Sequence, residues 1–211
     1  PSQVRRLGIE FRERHAALRP VWVAASTHAG EEEIALAAHE RVLERFPDAL
    51  LLLVPRHPER FDDVAELLTR QGFSHVRRST GLRLTERDSV FLGDTLGELT
   101  SFYAAADVAF VAGSLVPIGG HNLLEPAALG LPVLTGPHTY NCEDIAEMFI
   151  AAGAARLVTD AQTLGDAVAE LLAEPQARRE MGARGQRIVE ENRGALERLL
   201  KLVRPLLPEA D

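Results

Sequence analysis

The stretch "ALLLLVPRHPERFDDVAELLTRQG", residues 49–72, decides the fold. Its first six residues are apolar without polar alternation, the pattern of a strand covered on both faces. Pro55 and Pro58 then break the run. A helical stretch follows as far as Gly72, which closes it as a C-terminal cap. A doubly covered strand leading straight into a helix is the repeating unit of a parallel sheet wrapped on both sides.

The same unit recurs in both directions. Upstream, "VWVAA" (21–25) precedes a helix over 31–46, with Ile34, Ala38, Val42 and Phe46 along one face. Downstream, strands are expected at 75–78, 89–93, 107–113, 132–136 and 155–158. Helices are expected through "ELTSFYAAA" (98–106), over Asp144–Ala152, and onward to the end. The expected class is α/β: a Rossmann-like, doubly wound parallel sheet in one domain over 20–211. Residues 1–19, polar and Arg-rich with a weak helical pattern, read as a lead-in segment.

Composition narrows the function classes. With 46% hydrophobic residues in 211, a sizeable core forms. A formal charge of −8 argues against nucleic-acid binding through the whole surface, so an anionic ligand must be met by local devices. The single Cys142 excludes an internal disulfide. His15, His39, His75 and His138 lack metal-ligand spacing, and no metal site is expected. No apolar run approaches the length of a membrane span. The chain opens on Pro1 rather than Met and is read as part of a longer protein.

In a doubly wound sheet, ligands collect at the carboxyl ends of the strands. Four loops there carry the candidates. In "STHAGEEE" (26–33), Ser26, Thr27 and Gly30 are candidates for hydrogen bonds to ligand oxygens, while Ser26 to His28 equally read as plain loop. The acidic run Glu31–Glu33 favours the first turn of the next helix through its dipole, which accounts for Glu32 and Glu33. In "VPRHPER" (54–60), two prolines hold Arg56 and His57, and a fixed arginine there suits phosphate or carboxylate. In "GDTLGEL" (93–99), either Asp94 or Thr95 caps the next helix, or the backbone around Gly93, Gly97 and Glu98 meets a nucleobase edge.

The fourth loop, "GSLVPIGGHNLLEPAALGLPVLTG" (113–136), holds Ser114, Gly119, Gly120, His121, Asn122 and Glu125. The paired glycines permit a tight turn, and the helix start beyond them offers unpaired N–H groups to an anion. Asn122 and Glu125 have the spacing of a capping box and equally the chemistry to bind ribose hydroxyls. Pro126 disfavours helical geometry at Glu125, which places that carboxylate just outside the helix. No G-x-G-x-x-G dinucleotide fingerprint follows a strand.

Together, "STHAGEE", "VPRHPERF", "GDTLGEL", "GSLVPIGGHNLLEPAALGLPVLTGP" and the late "NRGAL" resemble the 3-deoxy-D-manno-octulosonic acid (Kdo) transferases of lipopolysaccharide assembly, across residues 20–203. One departure is "VAGSL", where Ala112 stands at a position that is usually glycine. The resemblance implies the C-terminal, donor-binding half of a GT-B fold, with residues 1–19 as interdomain linker and an amphipathic C-terminal helix, "ALERLLKLVRPLL", turned back toward the other half. It implies transfer of Kdo from CMP-Kdo to a lipid A precursor, with inversion and departure of CMP, and with no cofactor or metal. Arg56 and the Gly119–Asn122 segment would hold the phosphate, Glu125 the ribose, and "GDTLGEL" the cytosine; Ser26, Thr27, His28 and Ser114 would line the donor pocket. The catalytic base, acceptor surface and membrane attachment are expected on the N-terminal half, at the cytoplasmic face of the bacterial inner membrane. This chain alone is expected to be soluble and inactive. Two other readings stand beside it: the donor domain of a UDP-sugar transferase or epimerase, and a non-catalytic sugar-nucleotide-binding module.

Overall fold

Seven strands run in parallel in the computed structural model, which describes residues 2–203. They are β1 (Val21–Thr27), β2 (Leu50–Pro55), β3 (His75–Arg77), β4 (Val90–Leu92), β5 (Val108–Val111), β6 (Val133–Thr135) and β7 (Ala155–Leu157). Every expected strand is present. The spatial order is β3-β4-β2-β1-β5-β6-β7. The helices are α1 (Ser2–Phe11), α2 (Glu31–Arg45), α3 (Phe61–Arg70), α4 (Leu99–Ala105), α5 (Leu124–Ala128), α6 (Glu143–Ala151), α7 (Ala161–Ala173) and α8 (Pro175–Val203). The amphipathic tail expected from residue 195 lies outside the residues whose side chains are described.

The unbroken apolar runs follow from where alternate side chains go. Along β1 and β2, Trp22, Ala24, Leu51 and Leu53 enter one core with Leu36 of α2, Leu68 of α3 and Leu164 of α7. Their neighbours Val21, Val23, Leu50 and Leu52 enter the opposite core with Phe102 and Tyr103 of α4. A strand buried on both sides has no position left for a polar side chain. A third cluster joins Val111 and Val133 to Ala127 of α5, Phe149 of α6 and Val189 of α8.

Residues 2–19, expected as a lead-in, are built onto the second core. Phe11 packs edge-on to Phe91 and Phe102. Arg12 donates to the Ala105 carbonyl at 2.6 Å and pairs with Asp107. Gly8 lies so close to Ala104 that a Cβ would come within 2.5 Å of its backbone. In α2 the buried stripe is wider than the expected four-residue repeat, and includes Glu31, Glu32, Ala35, Leu36, Ala38, His39 and Val42.

His39 is the one polar ring in the first core with partners on both sides. Trp22 Nε1 donates to its Nδ1 at 3.1 Å, so Nε2 carries the proton and donates to the Ser89 carbonyl at 2.9 Å. Burial lowers its pKa from 6.5 to about 4. The unfolded chain therefore takes up this proton first as the pH falls. The stabilisation from neutral His39 is complete above pH 6.5 and is lost toward pH 4. Urea unfolding across that window should show a shallower loss of stability in His39→Gln than in the unsubstituted protein.

Gly182 of α8 crosses the loop after α5 so closely that a Cβ would lie 1.9 Å from the Gly130 carbonyl oxygen. Alanine normally stabilises a helix interior by about 1 kcal/mol over glycine. Here the clash is with backbone, and overpacking of this kind costs about 1–3 kcal/mol. Gly182→Ala should lower the urea midpoint rather than raise it.

Candidate functional site

The chain passes from β1 to β2 on one side of β1 and enters β5 on the other, so the winding direction reverses between β1 and β5. Loops diverge above such a reversal and leave a crevice at the carboxyl ends of the strands. The β1–α2 loop forms one wall and the β5–α5 loop the other. Ser26, at the end of β1, sits in the left-handed region with φ 60°, beside an irregularity in the pairing of β1 with β2. A non-glycine residue there is strained, and such strain concentrates at functional sites.

The two walls are joined by Glu31, the first residue of α2. Gly30, at φ 90°, turns the chain so that this side chain points inward. Its Oε2 accepts the N–H groups of His28 (3.1 Å) and Gly113 (2.7 Å), and its Oε1 those of Ser114 and Leu115 (both 3.0 Å). The carboxylate is completely buried. Three successive N–H groups after β5 thus form an anion nest that the protein fills from within.

Ser114 extends the tie to the next strand and corrects an expectation. Its hydroxyl donates to the Val111 carbonyl and accepts the Gly136 N–H, both at 2.8 Å, while its own N–H goes to Glu31. With no polar atom left over and no exposure, it braces the crevice and does not line a donor pocket. Thr27 is likewise fully buried, although its Oγ1 has no partner.

Gly119 and Gly120 both adopt positive φ, 107° and 78°. The turn they make is clamped by the β6–α6 loop: Tyr140 Oη donates to the Pro117 carbonyl at 2.7 Å and Asn141 Nδ2 to that of Ile118 at 3.0 Å. A Cβ on Gly119 would fall 2.4 Å from Asn141 Nδ2. Beyond the turn, the N–H groups of His121, Asn122 and Leu123 find no acceptor among the described residues.

Glu125 lies inside α5, not before it as Pro126 suggested. Proline at the third position of a helix loses only an N–H that would be unpaired anyway, so the first turn tolerates it. No capping box forms, since α5 starts behind Leu123 without a side-chain cap. Asn122 Oδ1 accepts the Leu124 N–H at 3.0 Å, but the Glu125 carboxylate receives only the Asn122 side-chain amide, at 3.2 Å. Both side chains are exposed, and Glu125 keeps acceptor capacity toward solvent.

His28 and His121 face each other across the crevice, Nε2 to Nε2 at 2.8 Å with rings nearly parallel. His57 stands edge-on to His28 at 5.2 Å between ring centroids. Burial lowers the pKa of His28, against the pull of Glu31. Burial, then His28, Arg56 and His57, bring His121 down to about 4. The exposed Arg56 side chain has no carboxylate partner among the described residues. No group of three or more His, Cys, Asp or Glu among the described residues is arranged to hold a metal ion.

The "GDTLGEL" loop is tied to β3 and its following turn. Asp94 accepts Arg77 Nε (2.7 Å), the Ser79 N–H (2.8 Å) and the Ser79 hydroxyl (2.6 Å). Burial raises its pKa, but these bonds prevail and hold it below the usual range. Thr95 donates to Glu98, which pairs with Arg78 at 2.9 Å. Neither Asp94 nor Thr95 caps α4, which starts behind Glu98 without a side-chain cap. The Asp94 carboxylate is therefore a structural clamp, closed to a ligand, while Gly97 stays exposed.

Glu31, Glu32 and Arg60 are the contributors that the loop motifs did not reveal. Glu32 is buried beside Arg60 at 2.9 Å, and burial raises its pKa against that arginine's charge. Glu33 stays exposed in the first turn of α2, whereas Glu32 is taken up by this buried pair. A signal was present: Glu31 and Glu32 stand one helical turn before Ala35 and Leu36, on the core-facing side.

Replacing Glu31 by glutamine sets an amide N–H2 against backbone N–H donors. Burying an unsatisfied donor costs about 1–3 kcal/mol. Glu31→Gln should lose stability on that scale in urea unfolding, and hydrogen-exchange protection should fall at Gly113, Ser114 and Leu115.

The profile of "Glycosyl transferases group 1" matches residues 26–188. The chain is 49% identical over 190 residues to a 3-deoxy-D-manno-octulosonic acid transferase of Haemophilus influenzae, covering 90% of this chain and 44% of that protein. It is 45% identical over 189 residues to the Bordetella pertussis enzyme of the same name, covering 86% of this chain and 44% of that one. The chain thus spans less than half the length of these curated relatives. Among solved structures, the C-terminal CMP-Kdo binding domain of WaaA from Acinetobacter baumannii superposes with a TM-score of 0.85 at 36% identity, covering 90% of this chain and 99% of that one. The sheet, the crevice at its winding reversal and these matches agree: the chain belongs to the group 1 glycosyl transferases of GT-B fold, and is similar to part of the 3-deoxy-D-manno-octulosonic acid transferases.

Proposed function

We propose that this chain is the donor-binding half of a Kdo transferase and takes CMP-Kdo into the crevice between the β1–α2 and β5–α5 loops. The observation that carries this reading is the close match to a domain described as binding CMP-Kdo. Its support in this chain is that Arg56, His28 and His121, from loops, and Glu125, from the first turn of α5, stand at the same edge of the sheet. Arg56 and the free N–H groups of His121–Leu123 meet the phosphate, and Glu125 accepts the ribose hydroxyls. No cofactor or metal is needed, because these donors stabilise the charge that grows on departing CMP.

In the complete protein, an acceptor hydroxyl of a lipid A precursor attacks the anomeric carbon while the bond to the phosphate oxygen breaks. The acceptor's proton passes to a base on the other half, and the configuration inverts. Arg56 and the loop N–H groups act on the leaving group throughout. Residues 2–19 join the two halves. The complete protein works at the cytoplasmic face of the bacterial inner membrane; no described helix of this chain is long and apolar enough to cross a membrane.

Calorimetric titration of the chain with CMP, UMP and UDP tests the reading. CMP should bind more tightly than either uridine nucleotide, and a preference for UDP would transfer the assignment to UDP-sugar chemistry. A charge-assisted hydrogen bond is worth about 1.5–3 kcal/mol. Arg56→Ala should therefore weaken CMP by about 10–100-fold at an unchanged urea midpoint. Glu125→Gln should also lower affinity without loss of stability; the reverse outcome would make Glu125 a helix-end residue only.

A further inference from the structure

We propose that the His28–His121 pair takes up one proton when an anionic nucleotide enters the crevice, which turns the contact between its facing nitrogens into a charge-assisted one. The inference rests on the donor-binding reading above and adds a proton to it. An N···N separation of 2.8 Å requires one ring to donate from Nε2 and the other to present its lone pair there. In the neutral pair, the accepting ring carries its proton on Nδ1. One added proton goes to Nδ1 of the donating ring and leaves the contact intact, now as a charge-assisted N–H⁺···N bond. A second proton would set two Nε2–H groups against each other, so the capacity is one.

The surroundings decide when that proton is held. Glu31, from α2, already accepts four backbone N–H groups. From the β2–α3 connection come Arg56, His57 and Arg60, of which Arg60 is paired with Glu32 and His57 stands 3.8 Å from Glu59. From the β6–α6 loop, the Cys142 thiol meets the His121 carbonyl. Apart from Glu31, no carboxylate among the described residues faces the pair directly, so burial and the neighbouring arginines favour its neutral form. A phosphate placed among Arg56, His28 and His121 supplies the absent negative charge and favours the protonated pair. Binding then weakens as the pH rises from the pKa of the free pair to that of the loaded pair, by up to about tenfold per unit for one proton.

Calorimetry of this chain with cytidine 5′-methylphosphate, a phosphodiester with no titrating proton near neutrality, tests the step. At pH 6, the observed heat plotted against buffer ionisation heat should show uptake of about one proton per nucleotide. His28→Gln and His121→Gln should bind with uptake reduced to near zero. In the unsubstituted protein, saturation with the nucleotide should raise the imidazole titration of His28 and His121 seen by NMR; this readout holds even if a variant binds too weakly for calorimetry. Binding without proton uptake, or uptake unchanged in both variants, overturns the inference and leaves the donor reading standing. If neither this diester nor CMP binds at any pH, the donor reading fails and takes the inference with it.

Discussion

A single buried carboxylate organises the functional edge of this protein. Glu31 accepts four backbone N–H groups, one from its own loop and three from the loop across the crevice. Each bond is charge-assisted, and each satisfies a donor that would otherwise face the interior unpaired. The sheet holds β1 and β5 side by side, but it does not determine how their loops stand relative to each other. Glu31 does so, and Ser114 passes the constraint on to Gly136 at the end of β6.

The placement of the two facing histidines follows from that tie. His28 and His121 meet because their loops are locked at one separation, and the clamp of Tyr140 and Asn141 keeps the glycine turn ahead of His121 in place. The second buried acid, Glu32, anchors Arg60 and with it the turn after Arg56 and His57. Two adjacent glutamates thus hold one loop each.

The sheet was readable from the sequence because each strand is buried on both faces, so the apolar runs alone report it. The site was only partly readable. The loops carrying Arg56, Gly119, Gly120 and Glu125 stand out by composition, but the partners of their neighbours lie far along the chain. Glu31 reaches residues more than eighty positions away, and His28 meets His121 across a separation of 93. Local patterns invite local explanations: a helix dipole for Glu32, a cap for Asp94 or Thr95, a pocket lining for Ser114. For Glu32, Asp94 and Ser114 a bond to a distant residue took the group instead, while Thr95 turned to Glu98, three residues on. Glu125 misled for another reason, since Pro126 falls within the first turn of α5, where its missing N–H is harmless.

The nest after β5 also bears on competition in solution. Three aligned N–H groups at a strand end make a concavity suited to a small oxyanion. Here the occupant is covalently tethered, and its effective local concentration exceeds that of a free ion. Glu31 therefore keeps these three N–H groups occupied from within, whatever free anions surround the protein.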